Sequence, residues 1–179
     1  MSKYIIAAIS SDKSFEEAIC SDVSIIFDLN PCILSLAEKI KSAHQNGKKI
    51  FIHIDLSEGI GKDRAAVHFI KNLGADGIIS TRTNMIKFAH EAGLFSIQRF
   101  FAIDSRSVET AIESLKASRP DMIEILPGIC DKVIKRMRSA TDIPIIAGGL
   151  IETEEEIQTA IKSGASGIST GSEKLWKFL

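Results

Sequence analysis

The sequence predicts a compact single-domain (β/α)8 barrel, an α/β fold of the TIM-like type, over residues 1–179. Three observations carry this. Short apolar runs rich in Ile, Val and Phe recur at 4–10, 23–29, 49–56, 77–81, 95–102, 121–126, 144–149 and 167–171. Each lasts roughly 5–8 residues, as strands buried on both faces require. A segment of helical periodicity follows every run. The repeat of about 22 residues just holds a strand, a helix and two short turns. An open doubly wound sheet is the rival arrangement, but a count of eight favours closure. At 179 residues this is a small example, since barrels commonly begin near 200.

In chain order, the first run follows Met1-Ser2-Lys3-Tyr4 and is too short for a signal or membrane segment. The helical segments are placed at 14–20, 33–45, 63–73, 84–92, 104–117, 128–140, 153–163 and 172–178. The second carries Leu36, Ile40 and Ala43 on one face and stops at Asn46-Gly47. Asp63 opens the third as a cap and Asp104 or Ser105 the fifth, while Gly74 and Gly93 follow the third and fourth. Thr153 and Glu156 form a capping box at the seventh. No linker, charge block or low-complexity tract interrupts the pattern.

Composition narrows the function. Hydrophobic residues make up 45% and charged residues 25%, values of an ordinary globular chain. With 22 Lys+Arg against 23 Asp+Glu, the net charge of −1 argues against coating nucleic acid by charge alone. Cys20, Cys32 and Cys130 form no CxxC pair, so a disulfide framework or zinc site is not expected. They read as small core or near-core residues in a reducing, cytoplasmic setting.

Polar residues interrupt the strands toward their C-terminal ends, where barrels bind ligands. In the third run, Ile50, Ile52, Ile54 and Leu56 make a helix-packing face, which turns His53 and Asp55 into the barrel. A lone pair of this kind could simply satisfy itself. Other runs add Asp28, then Ser80-Thr81-Arg82, Ser96, Gln98, Arg99, Glu124 and Ser169. So many buried polar groups are costly unless paired or serving a ligand. His53, Asp55, Arg82, Gln98, Arg99, Glu124 and Ser169 are therefore the expected ligand-binding set.

The last two strands add a phosphate signal. One ends in Gly148-Gly149 and the other in Thr170-Gly171-Ser172, leading into the final short helix. Glycines let backbone N–H groups approach an oxyanion, and a helix N-terminus favours negative charge. Gly148, Gly149, Thr170, Gly171 and Ser172 are the expected phosphate-binding residues. Carboxylates repel phosphate, so Asp55 and Glu124 are expected away from that glycine end. The loop 58–63 either closes over the ligand or merely turns into the third helix. No metal set at recognised spacing, no cofactor motif and no catalytic constellation stands out. No lysine lies at the C-terminal end of an inward strand face for Schiff-base chemistry.

At this point the chain resembles the glycerol-3-phosphate-responsive antiterminators. The resemblance rests on His53-Ile54-Asp55-Leu56 with Glu58-Gly59, the run 76–82, Gln98-Arg99, Asp104-Ser105, the run 121–128, the run 143–151, Thr153 with Glu155, and Leu175-Trp176-Lys177. It spans essentially the whole chain. It implies a cytoplasmic barrel without an assigned reaction, whose effector is glycerol 3-phosphate. It further implies action on leader mRNA of glycerol operons to prevent transcription termination. Residue-level RNA contacts do not follow from it. Lys132, Lys135 and Arg136 on the sixth helix, with Lys174 and Lys177 beside Trp176, are the candidate RNA contacts, against a merely solvated face and a packed Trp. The alternative function is a barrel enzyme acting on a small phosphorylated triose or polyol.

Overall fold

The computed structural model describes residues 3–178. Among them, eight parallel strands close into a barrel in chain order. The strands are β1 (Tyr4–Ile9), β2 (Ile25–Asp28), β3 (Lys49–His53), β4 (Gly77–Ser80), β5 (Phe95–Phe101), β6 (Met122–Leu126), β7 (Ile145–Gly148) and β8 (Gly167–Thr170). Seven helices alternate with them: α1 (Asp12–Cys20), α2 (Leu36–Gln45), α3 (Arg64–Asn72), α4 (Thr83–Ala92), α5 (Ser105–Ser118), α6 (Asp131–Ala140) and α7 (Glu154–Lys162). The barrel is the fold the alternation predicts.

Local chemistry sets the helix ends. The side chains of Ser11, Asp63, Asp104 and Thr153 accept hydrogen bonds from the first-turn N–H groups of α1, α3, α5 and α7. Gly93 ends α4 in the left-handed region at φ +66°, which a residue without Cβ adopts freely.

Strand alternation divides the core in two. Ile50, Ile52, Ile78, Ile123, Ile125, Ile145 and Ile168 face outward into the layer beneath the helices. Ile6, Phe27, Phe51, Ile79, Ile97 and Ile146 fill the barrel interior as an apolar floor. Phe27 and Phe51 meet there edge-on, with ring centroids 5.8 Å apart. Gly167 is required at the lower end, because a Cβ there would lie 2.5 Å from the Tyr4 ring.

Several expectations need correction. The third strand stops at His53, and Ile54–Leu56 form a 3-10 turn. That turn takes Leu56 off the helix-packing face and leaves it exposed. The final helix expected at 172–178 reduces to a 3-10 turn, Glu173–Leu175. A segment this short gains too few intrahelical bonds to offset nucleation. Trp176 is buried instead, its indole N–H donating to the Thr170 carbonyl at 2.9 Å. Of the cysteines, Cys20 is exposed rather than in or near the core, while Cys32 and Cys130 are half-buried.

Candidate ligand site

The site is built on the layer of inward-facing residues directly above the apolar floor. Parity fixes its members. Ile97 on β5 faces inward, so Arg99, two residues on, does too. On β6, Glu124 stands beside it in register. The Arg99 Nε donates to Glu124 Oε2 at 2.6 Å, and both side chains are almost wholly buried. Glu124 Oε1 has no hydrogen-bond partner among the described residues. The pair is thus satisfied at one end and open at the other. A buried ion pair of this kind is costly to form in isolation, and is explained if a ligand completes it.

Beside the pair lies a cavity of about 520 Å³ at the C-terminal mouth. Arg99 and Glu124 line one side of it. Gly149, Leu150, Glu152, Ser169, Thr170, Gly171 and Ser172 line the other, with Lys174 at its edge. These are the ends of β7 and β8. The Thr170 hydroxyl donates to the Ile151 carbonyl at 2.7 Å and accepts from the Ser172 N–H at 3.0 Å. The first of these hydrogen bonds ties the β7 and β8 loops together, and the second holds the turn after β8. Gly149 adopts φ +75° and Leu150 φ +61°, so two successive residues sit in the left-handed region. Such a conformation is strained for leucine and recurs where backbone serves a ligand.

Of the expected residues, Arg99, Glu124, Ser169, Gly149, Thr170, Gly171 and Ser172 are brought together here. Gly148 lies just behind Glu124, since a Cβ on it would come within 2.6 Å of Glu124 Oε1. This corrects one expectation. Glu124 lies against the glycine end rather than away from it, because β6 and β7 are adjacent strands. An anion is therefore better placed toward Gly149, Gly171 and Lys174 than on Gly148. The helix N-terminus expected beside Ser172 also falls away with the final helix.

The β3 side is arranged differently. His53 is buried with Nδ1 unpartnered among the described residues. Burial, then the charge of Arg99, lowers its pKa to about 4, so it is neutral at neutral pH. Asp55 is spent on structure. Its carboxylate accepts from the Ser80 hydroxyl at 2.8 Å and from the N–H and hydroxyl of Thr81 at 2.7 and 2.8 Å. Burial pushes its pKa up, but these hydrogen bonds outweigh it and hold the group below the usual range. Arg82, 3.7 Å from Asp55, is half exposed at the start of α4. Neither residue lines the cavity.

Gln98 is the clearest misplacement. Arg99 faces inward, so Gln98 must face outward, toward α4, where its amide reaches Thr83 Oγ1 at 3.4 Å. Ser96 likewise faces outward, bound to Asp121. Asp28 faces outward near Lys39, which is 3.9 Å away, and burial raises its pKa despite that cation. Loop 58–63 does not line the cavity. It is tied down by Lys62, which donates to the Ser57 carbonyl, the Ser57 hydroxyl and the Ile60 carbonyl. The residue that sequence reasoning assigned elsewhere is Lys174, a candidate RNA contact that instead sits at the cavity edge. Its position three residues after Gly171 was the available signal.

Of the other candidate RNA contacts, Lys135 pairs with Asp131 at 2.7 Å and Arg136 with Glu109 at 2.9 Å. Lys132 and Lys177 are exposed. Trp176 is buried and offers no face to a base. No group of three or more His, Cys, Asp or Glu side chains is gathered for a metal among the described residues. No helix among them is long and apolar enough to cross a membrane.

Fold and site together define a parallel (β/α)8 barrel with a cavity at its C-terminal mouth, lined from β5 and β6, from the loops after β7 and β8, and from the ends of β1 and β2. Comparison with known proteins narrows the class. The chain belongs to the glycerol-3-phosphate responsive antiterminator family, which it matches over residues 5–176. It is 39% identical to the protein YgcP of Escherichia coli strain K12, over 96% of this chain and 91% of that one. The glycerol uptake operon antiterminator regulatory protein of Listeria monocytogenes has the same architecture at a TM-score of 0.93. The two are 37% identical, over 97% of this chain and 94% of that one. A glycerol uptake operon antiterminator-related protein of Thermotoga maritima superposes with a TM-score of 0.88 at 37% identity, over 98% of this chain and 99% of that one.

Proposed function

We propose that this protein is a glycerol-3-phosphate-gated regulator that acts in the cytoplasm on leader mRNA of glycerol operons and lets transcription pass a terminator. The effector sits in the cavity between β5–β6 and β7–β8. The observation that carries this reading is the buried Arg99–Glu124 pair, which faces two glycine-bearing loops across one cavity. Arg99 spends Nε on Glu124, which leaves the outer nitrogens of its guanidinium fork for an oxygen of the ligand. Glu124 Oε1 and the Ser169 hydroxyl suit the glycerol hydroxyls. The phosphate lies toward Gly149, Gly171 and Ser172, with Lys174 supplying charge at the edge. His53, buried and neutral near Arg99, stands on the β3 side and is not among the residues that line the cavity.

Family membership supports the regulator over the barrel enzyme. RNA contact runs over the face of α6 that carries Lys132, Lys135 and Arg136, with Lys177 as a further cation. Calorimetric titration with glycerol 3-phosphate, glycerol and inorganic phosphate tests the ligand half. The parent should prefer glycerol 3-phosphate to either fragment. Glu124→Gln should lose at least tenfold in affinity for glycerol 3-phosphate yet keep its weak response to phosphate. Equal affinity of the variant for glycerol 3-phosphate would place the ligand elsewhere.

A further inference from the structure

A second cleft, of about 510 Å³, opens between α4 and α5 on the outer side of β5. Gln98 forms its floor and Phe100 one wall. Thr83, Ser107 and Thr110 line it with hydroxyls, Arg106 stands at its rim, and the Asp104 carboxylate, which caps α5 by accepting from the Ser107 N–H, lies on the same wall. Two independent features point to a ligand. First, Gln98 is 1% exposed, and its Oε1 has no partner among the described residues, while its Nε2 makes only the long contact to Thr83. A buried amide with one end unpaired is costly unless something completes it. Second, Arg82 gives α4 no side-chain cap; the Met85 N–H is taken by Asn84 Oδ1 and the Arg82 carbonyl, which leaves the Thr83 and Asn84 N–H groups without a partner among the described residues, and Thr83 lines the cleft. Arg106 has no ion-pair partner among the described residues.

We infer that this cleft binds a single nucleotide, with the base edge on the Gln98 amide and the phosphate between Arg106 and the start of α4. An amide side chain offers the adjacent donor and acceptor that a base edge complements, and Phe100 supplies an apolar surface for its ring. Two free N–H groups and one cation match one phosphate rather than a duplex backbone. On the RNA reading above, on which this part rests, the nucleotide is an unpaired one of the leader RNA. A free nucleotide offers the same chemistry.

The geometry also links the two sites. Arg99 and Gln98 are neighbours on β5, one facing the effector cavity and the other the cleft. Thr81, which lines the cleft, is held through its N–H and hydroxyl by Asp55, two residues beyond His53. A ligand that draws Arg99 toward itself therefore moves the strand that carries Gln98.

The test titrates the full chain with the four nucleoside 5′-monophosphates and follows backbone amide resonances. It repeats the titration with Gln98→Leu and Arg106→Glu. At least one monophosphate should perturb amides of α4 and α5. Gln98→Leu should weaken that binding at least tenfold while glycerol 3-phosphate affinity stays within twofold. The variant should fold, since an apolar side chain removes a half-paired buried amide. Arg106→Glu, at an exposed position, should weaken the same binding several-fold. If no monophosphate binds the parent, or both variants bind as the parent does, the cleft is not a nucleotide site. A parallel titration with leader RNA separates the sources. Loss of RNA affinity in Gln98→Leu assigns the nucleotide to RNA. Monophosphate binding by a parent that ignores leader RNA assigns it to a free nucleotide and refutes the RNA reading alone.

Discussion

Removing one member of the Arg99–Glu124 pair leaves the other buried without a counter-charge. Glu124→Ala should therefore cost about 3–5 kcal/mol of folding stability, measured by denaturant unfolding. A cost within about 0.5 kcal/mol would mean that the pair is solvated. His53 gives a pH signature. Its pKa falls from 6.5 to about 4 through burial and the Arg99 charge, so the unfolded chain takes up more protons than the folded one between those values. The stability it contributes is complete above about pH 6.5 and declines as pH falls toward 4. For one histidine the loss reaches about 3 kcal/mol. Asp55, whose pKa is also depressed, acts in the same direction at lower pH. The comparison that isolates His53 is the unfolding midpoint of the parent against His53→Asn from about pH 7.5 to 4.5. The variant should show the flatter curve, and parallel curves would contradict the assignment. At this scale the sequence was legible where alternation is clean. Glu124 between Ile123 and Ile125 reads inward, and it is inward. Gln98 and Arg99 are adjacent, so both could not share one face. The polar face of β5 is the outer one at Ser96 and Gln98, because Asp121 and Thr83 wait there with partners.

Gly148 shows how one element holds another. Its backbone is not in the left-handed region, yet a Cβ on it would meet Glu124 Oε1 at 2.6 Å and Glu124 Cδ at 3.2 Å. Gly148→Ala should push the carboxylate off Arg99. Glycerol 3-phosphate affinity should fall at least tenfold by calorimetry while circular dichroism stays that of the parent barrel. Unchanged affinity would remove Gly148 from the site. On α6, the cations are partly neutralised by Asp131 and Glu109. Reversing Lys132, Lys135 and Arg136 together should reduce leader-RNA affinity and flatten its salt dependence, leaving glycerol 3-phosphate binding intact. Equal RNA binding at low salt would make that face a solvated one. Strands and helices were legible here because eight apolar runs alternate with capped segments. Two ends were not. β3 breaks off at His53 because Asp55 turns to gather Ser80 and Thr81, a tertiary pull no local pattern encodes. The last segment coils into one 3-10 turn because Trp176 is drawn under the Thr170 carbonyl.

The whole molecule places its apolar floor low in the barrel and its charges in the layer above, so the fold itself positions the cavity. That much follows from period-two alternation in parallel strands. Which strands share a cavity does not, since it depends on register and closure. A ligand that binds only the folded state at one hundred times its Kd adds about 2.7 kcal/mol of stability. For a chain of this size that raises Tm by roughly 5–10 °C. Scanning calorimetry with glycerol 3-phosphate should show this shift, and Arg99→Met should abolish it. The most direct measurement is leader-RNA affinity with and without saturating glycerol 3-phosphate. Coupling between two sites is reciprocal, so the effector should tighten RNA binding at least fivefold, and RNA should tighten effector binding by the same factor. RNA affinity indifferent to glycerol 3-phosphate, in a protein that binds the effector in its cavity, would contradict the account.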